Sequence, residues 1–273
     1  MVLAVVIQNH PTRWDSCNTV KLLRLAMPCV CKHTQILPPT QPFFEIYKRT
    51  MKQQYTPMNI FLDTADVAEI KKYFGTGLID GVTTNHTLIM KSGRDPEDVY
   101  QEIKDIGVRD ISMEVVGDSS EMIVEGRRLH NKFGDVCTVK VPCSYDGLLA
   151  CKELSREVIN VNVTLIFDPA QAILAAKAGA KYVSPFVGRL DDNEIDGVKL
   201  IKDISDIFTQ HMVGTQVLSA SIRNVHSVSQ SFTNGADVVT MPPSIFTKMY
   251  NHILTDKGLE LFVNDWKEVQ SHL

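Results

Sequence analysis

The chain has 273 residues, 44% of them hydrophobic and 22% charged, and a formal net charge of −4. That is ordinary globular composition for one large domain or two small ones, with no broad basic field to attract nucleic acid or anionic lipid. No apolar run approaches the roughly 20 residues that cross a bilayer, so a soluble, cytoplasmic protein is expected.

The composition changes near residue 57. The first 57 residues hold six of the twelve prolines and none of the fifteen glycines. They also carry seven Lys/Arg against Asp15 and Glu45 alone, which leaves the rest of the chain acidic. Pro38, Pro39 and Pro42 forbid a long helix there. Residues 1–57 are expected to be a poorly ordered N-terminal extension, with Met58 as the true start. A transit peptide or a proline-rich linker is the alternative.

From Met58 the chain alternates short apolar runs with amphipathic stretches. The runs are NIFLDT (59–64), GVTTN (81–85), DISMEVV (110–116), CTVKVP (137–142), VNVTLIF (161–167), YVSPFV (182–187), TQVLSAS (215–221) and DVVTMP (237–242). Asp95-Pro96 caps a helix that Gly107 ends, and Asp168-Pro169 opens another closed by Gly179. Ile195, Val198, Ile201 and Ile204 form one helical stripe, and Leu259, Phe262, Val263 and Trp266 mark a last helix. Eight strands alternating with helices predict an α/β fold, either a closed parallel barrel or a doubly wound sheet. FLDTADVAEI lacks the glycines of a dinucleotide turn, which favours a (β/α)₈ barrel over residues 58–273 with an additional C-terminal helix.

In such a barrel the active site forms where the strands end. Asp63, Asn85, Glu114, Lys140, Asn162, Thr164, Ser184, Ser221 and Arg223 collect there. Asn162 and Thr164 are two apart and share a face, as do Ser112 and Glu114. An unpaired polar group in a barrel interior costs roughly 1–3 kcal/mol, so polar residues at the ends of seven strands point to a polar ligand. The cysteines Cys17, Cys29, Cys31, Cys137, Cys143 and Cys151 lack paired CxxC spacing. They read as reduced thiols rather than a disulfide framework or a zinc site.

The segments FLDTAD, IDGVTTN, VKVP, VNVTLIF, YVSPFVGRLDD, SASIR and LTDKGLELFVNDW occur in order over about residues 58–270. In this the chain resembles the transaldolase family, in particular its small bacterial and phage-type members, close to fructose-6-phosphate aldolase. The resemblance makes Lys140 a Schiff-base lysine. Only a free amine attacks a ketone, and burial in a barrel lumen penalises the ammonium form. Glu114 and Thr164 match a proton-shuttling pair acting through a water, although Glu114 could merely pair with Lys140. The aldolase branch typically has glutamine at the Glu114 position, so the carboxylate favours transfer. Asp63 matches the acid/base for carbon–carbon cleavage; on residue type alone it is also a helix cap, a task open to Thr64.

The resemblance further implies that Asn85 and Asn162 hydrogen-bond substrate hydroxyls and that Ser184 and Phe186 shape the pocket, Phe186 being equally a core residue. Arg189, Ser221 and Arg223 match a phosphate clamp, with an ion pair to Asp191 or Asp192 the alternative for Arg189. No metal or cofactor is implied, since an iminium ion serves as the electron sink. The expected partners are sugar phosphates, and homo-oligomers, possibly of ten chains, are implied by resemblance alone. LELFVNDW also suits packing on its own barrel. The sequence departs from the family at His86, where proline is usual, at Thr87, and at Cys143 and Ser144. His86 is expected to point away from the lumen. The other readings are fructose-6-phosphate aldolase, a metal-free sugar-phosphate isomerase, and a barrel that only senses sugar phosphates.

Overall fold

The computed structural model describes residues 58–272; the N-terminal extension expected at 1–57 lies outside the described residues, with Cys17, Cys29 and Cys31. Eight strands follow the eight apolar runs: β1 (Asn59–Asp63), β2 (Gly81–Thr83), β3 (Ile111–Glu114), β4 (Cys137–Pro142), β5 (Asn160–Ile166), β6 (Tyr182–Pro185), β7 (Gln216–Ser219) and β8 (Val238–Met241). They close in sequence order into one barrel, every neighbouring pair parallel and β1 joined to β8. The helices are α1 (Val67–Phe74), α2 (His86–Ser92), α3 (Pro96–Ile106), α4 (Ser119–Phe133), α5 (Tyr145–Arg156), α6 (Pro169–Lys177), α7 (Val187–Asp191), α8 (Gly197–Gln210), α9 (Val225–Thr233), α10 (Pro243–Tyr250) and α11 (Ile253–Ser271).

Strand parity builds two cores. In β4, Cys137, Val139 and Val141 belong to the apolar shell between strands and helices. Thr138 and Lys140 alternate with them and face the barrel interior. The interior itself is plugged by a smaller cluster of Phe61, Tyr182, Leu218, Ala220 and Val238. Phe61 fills so much of this space that a Cβ on Gly81 would lie 2.6 Å from its ring, so glycine is required opposite it. Above the plug the interior turns polar. The register sets Glu114 beside Lys140 and Lys140 beside Asn162, so three adjacent strands present one row of polar side chains.

Several local expectations change. Neither Asp63 nor Thr64 caps the first helix: Asp66 does, accepting from the backbone amides of Ala68 and Glu69, while Thr64 Oγ1 accepts from Asp66 N. Ile195 is exposed and precedes α8, whose apolar stripe begins at Val198. The short helices α2 and α7 carry no long apolar period and escape a pattern reading. Helix α11 buries none of its residues, and Leu259, Phe262, Val263 and Trp266 are all exposed. Packing on its own barrel is thereby excluded among the described residues. Cys137, Cys143 and Cys151 are free thiols; burial pushes Cys137 up to about 12 and Cys151 up to about 11. Among the described residues no helix is long and apolar enough to cross a membrane.

Candidate active site

A cavity of about 440 Å³ opens at the C-terminal ends of the strands. All eleven residues singled out from the sequence line it: Asp63, Asn85, Glu114, Lys140, Asn162, Thr164, Ser184, Phe186, Arg189, Ser221 and Arg223. They come from five strands, β1, β3, β4, β5 and β6, and from the segments that follow β2, β6 and β7.

Lys140 sits at the bottom, 6% exposed. Its Nζ donates to the Thr84 carbonyl at 2.9 Å and lies 3.1 Å from Glu114 Oε1. Burial pushes Glu114 up, but the Lys140 charge and two hydrogen bonds from His86 outweigh it, so the carboxyl stays below its ordinary value. Asp63 behaves oppositely. It keeps some surface, yet packing on nearly every side raises it above the usual carboxylate value, against the pull of Lys140 and of a Thr83 hydrogen bond. Thr83 Oγ1 donates to Asp63 Oδ1 at 2.8 Å, so at 2.6 Å it must accept from Thr240 Oγ1. Two carboxylates whose environments drive them apart are the usual mark of divided acid and base roles.

Asn162 is fully buried and fixed by its neighbours. Ser184 Oγ donates to its Oδ1 at 2.7 Å, and its Nδ2 donates to Ser112 Oγ at 3.2 Å, which leaves one amide hydrogen unused by these bonds. Asn85 caps α2, accepting from Leu88 N at 2.9 Å; its carbonyl is committed, and its amide nitrogen is the group left for the cavity. Thr164 is 2% exposed. Among the described residues, two buried side-chain polar atoms lack a hydrogen-bond partner, Thr164 Oγ1 and His130 Nδ1. A buried hydroxyl without a partner is costly, and Thr164 aims it into a polar cavity.

The rim carries the positive charge. The Arg189 guanidinium lies 4.9 Å from the Phe186 ring centre, and Arg223 Nη2 donates to Asp192 Oδ2 at 2.9 Å. Asp192 therefore pairs with Arg223 rather than Arg189, and Asp191 accepts from Gly197 N. Among the described residues Arg189 makes no ion pair. Gly188 has no room for a Cβ, which would collide with the Ser221 carbonyl. That close approach brings the two arginine loops together. Leu165 and Ser221, both lining the cavity, hold positive φ of 60°, a strain of roughly 1–3 kcal/mol each that clusters at functional sites.

Three further residues shape the site: Thr83, Thr240 and His86. Thr83 holds Asp63 and Thr240 holds Thr83, contacts set by strand register that no sequence pattern carries. His86 is not turned away from the chemistry: its Nδ1 lies 2.7 Å from Glu114 Oε2, and its backbone amide donates to the same oxygen at 2.9 Å. Being the first residue of α2, which Asn85 caps, it faces β3.

Fold and site together define a (β/α)₈-barrel protein with a lysine-centred polar cavity rimmed by arginines. The chain belongs to the transaldolase/fructose-6-phosphate aldolase family, matching that family's profile over residues 60–273. It is 52% identical to a probable transaldolase of Nitrosopumilus maritimus over 216 residues, 78% of this chain and 97% of that protein. A probable transaldolase of Paracoccus denitrificans is 52% identical over 210 residues (77% and 96%), and one of Caulobacter vibrioides 51% identical over 210 residues (77% and 96%).

Proposed function

We propose that this enzyme is a transaldolase that moves a dihydroxyacetone unit between sugar phosphates through a Schiff base on Lys140. The observation that carries the reading is the buried Lys140 amine at the bottom of the cavity, held against Glu114 and beneath two rim arginines. Lys140 Nζ attacks the C2 carbonyl of a ketose phosphate such as fructose 6-phosphate or sedoheptulose 7-phosphate. Glu114, working with the Thr164 hydroxyl through a water, moves the protons by which the carbinolamine loses water to become an iminium ion. Asp63, which burial raises above the ordinary carboxylate value and so makes a stronger base when ionised, takes the proton from the C4 hydroxyl. The C3–C4 bond breaks, its electron pair passes into the iminium as an enamine, and an aldose phosphate leaves.

An acceptor such as erythrose 4-phosphate or glyceraldehyde 3-phosphate then takes up the three-carbon unit by the reverse steps. Asn85 and Asn162 hold its hydroxyls, and Ser184 and Phe186 shape the wall around it. Arg189, Ser221 and Arg223 grip the phosphate; a planar guanidinium fork suits its oxygens. The reaction belongs to the non-oxidative pentose phosphate pathway and places the enzyme in the cytoplasm, without nucleic acid, membrane or cofactor. The wholly exposed apolar side of α11 supports a homo-oligomer, up to a decamer, in which α11 packs on a neighbouring copy.

The family name covers both transfer and simple cleavage, and Glu114 weighs toward transfer. Release of glyceraldehyde 3-phosphate from fructose 6-phosphate is measured with and without erythrose 4-phosphate. Release that depends on the acceptor is the expected result. Equal release without it makes the enzyme an aldolase.

A further inference from the structure

Glu114 is held from two sides. Its Oε1 faces Lys140 at 3.1 Å, while its Oε2 receives both the ring Nδ1 and the backbone amide of His86. Side-chain exposure falls steadily along this line, from 55% at His86 to 19% at Glu114 and 7% at Lys140. The imidazole thus backs the carboxylate from the solvent side. A glutamate at a strand end has several free torsions, and holding it in one rotamer costs conformational entropy. Two donors on Oε2 fix the carboxylate plane and therefore the direction of Oε1. The two contacts also bridge β2 and β3, since His86 follows β2 and Glu114 ends β3.

We propose that His86 is a positioning residue for Glu114, holding Oε2 through its ring and its backbone amide so that Oε1 stays directed at Lys140. The inference rests on the reading of Lys140 and Glu114 given above. Glu114 is the charged group that faces the ring; Lys140, Asp63 and Tyr100 couple to that carboxylate in turn. The hydrogen bonds from His86 favour the ionised carboxylate, so loss of the ring raises the pH at which Glu114 takes up a proton.

The test follows formation of the Lys140 adduct with fructose 6-phosphate in single turnovers trapped with borohydride, from pH 4 to 9. Adduct formation precedes the cleavage assigned to Asp63, and that residue is unaltered in every variant compared. His86→Ala is expected to form the adduct about tenfold more slowly, the scale of one lost hydrogen bond to a charged group. Its ketose KM should stay within about twofold, and the acid limb of its rate should move to higher pH. His86→Asn places an amide Nδ2 where Nδ1 stood, and is expected to recover the rate to within about threefold of the unaltered enzyme. Adduct formation by His86→Ala at the original rate and with the original acid limb would overturn the proposal. So would equal losses in the Ala and Asn variants, which would show that a hydrogen-bond donor at this position does not carry the effect. If the unaltered enzyme forms no adduct at all, the Schiff-base reading fails first and takes this inference with it.

Discussion

Lys181 and Lys140 each pair with a carboxylate of the barrel, Lys181 partly exposed near the N-terminal ends of the strands and Lys140 buried near their C-terminal ends. At the floor, Asp110 accepts from Thr138 Oγ1 at 2.8 Å, Lys181 Nζ at 2.7 Å and the Tyr182 hydroxyl at 2.9 Å. The apolar plug of Phe61, Tyr182, Leu218 and Val238 closes the lumen above this network. At the mouth, the Lys140–Glu114 pair opens on a cavity, Thr164 Oγ1 has no partner among the described residues, and two of the cavity's residues hold strained backbone. The same residue types are closed at one end and left available at the other. A closed network holds the barrel together, whereas available groups and stored strain belong to the end where a ligand is handled.

Substitution of the two lysines should separate these roles most sharply. Lys140→Met is expected to lower turnover by about 10³-fold or more, the scale seen when a covalent nucleophile is removed. Lys181→Met should leave kcat within about twofold in the same transfer assay. A comparable loss in both would erase the distinction. At the floor, Asp110→Ala strips an acceptor from Thr138, Lys181 and Tyr182 and should cost about 2–4 kcal/mol in urea unfolding, with KM unchanged.

The mouth should instead gain stability when its chemistry is removed. Asp63 is raised by burial, so the folded chain binds that proton more tightly than the unfolded chain does. Stability is therefore lost as pH rises from the ordinary carboxylate range through the raised value, and the deficit persists at neutrality. Asp63→Asn should lower turnover about 10²-fold while raising Tm at pH 7 by roughly 2–4 °C. The Tm gain should vanish below about pH 4, where Asp63 is protonated in both states. A lower Tm at pH 7 would make Asp63 a structural group like Asp110. The smallest effect is expected at the rim. Asp192→Ala frees Arg223 from a half-exposed ion pair and should lower the KM for phosphorylated substrates by about two- to threefold; a higher KM would mean that Asp192 itself helps to place the arginine.

Much of this architecture is legible in the sequence, because both periods are strong. Eight short apolar runs became eight parallel strands, and the polar residues at their ends met around one cavity, since a closed barrel brings all strand ends to one rim. What escaped depended on contacts distant in sequence. His86 was judged by its position after Asn85, yet its ring reaches a carboxylate 28 residues away. Thr240 approaches Asp63 through Thr83 because β8 closes on β1, a neighbour relation that no local pattern contains. The exposed apolar side of α11 has the helical spacing expected of it, but spacing cannot say whether a helix packs on its own barrel.

Of the two barrel lysines paired with carboxylates, Lys140 is the one expected to carry the substrate. Borohydride reduction in the presence of fructose 6-phosphate, followed by peptide mass mapping, reads this directly. A single reduced three-carbon adduct on Lys140 and none on Lys181 is the expected result. An unmodified Lys140, or an adduct mapped to another lysine, would contradict it.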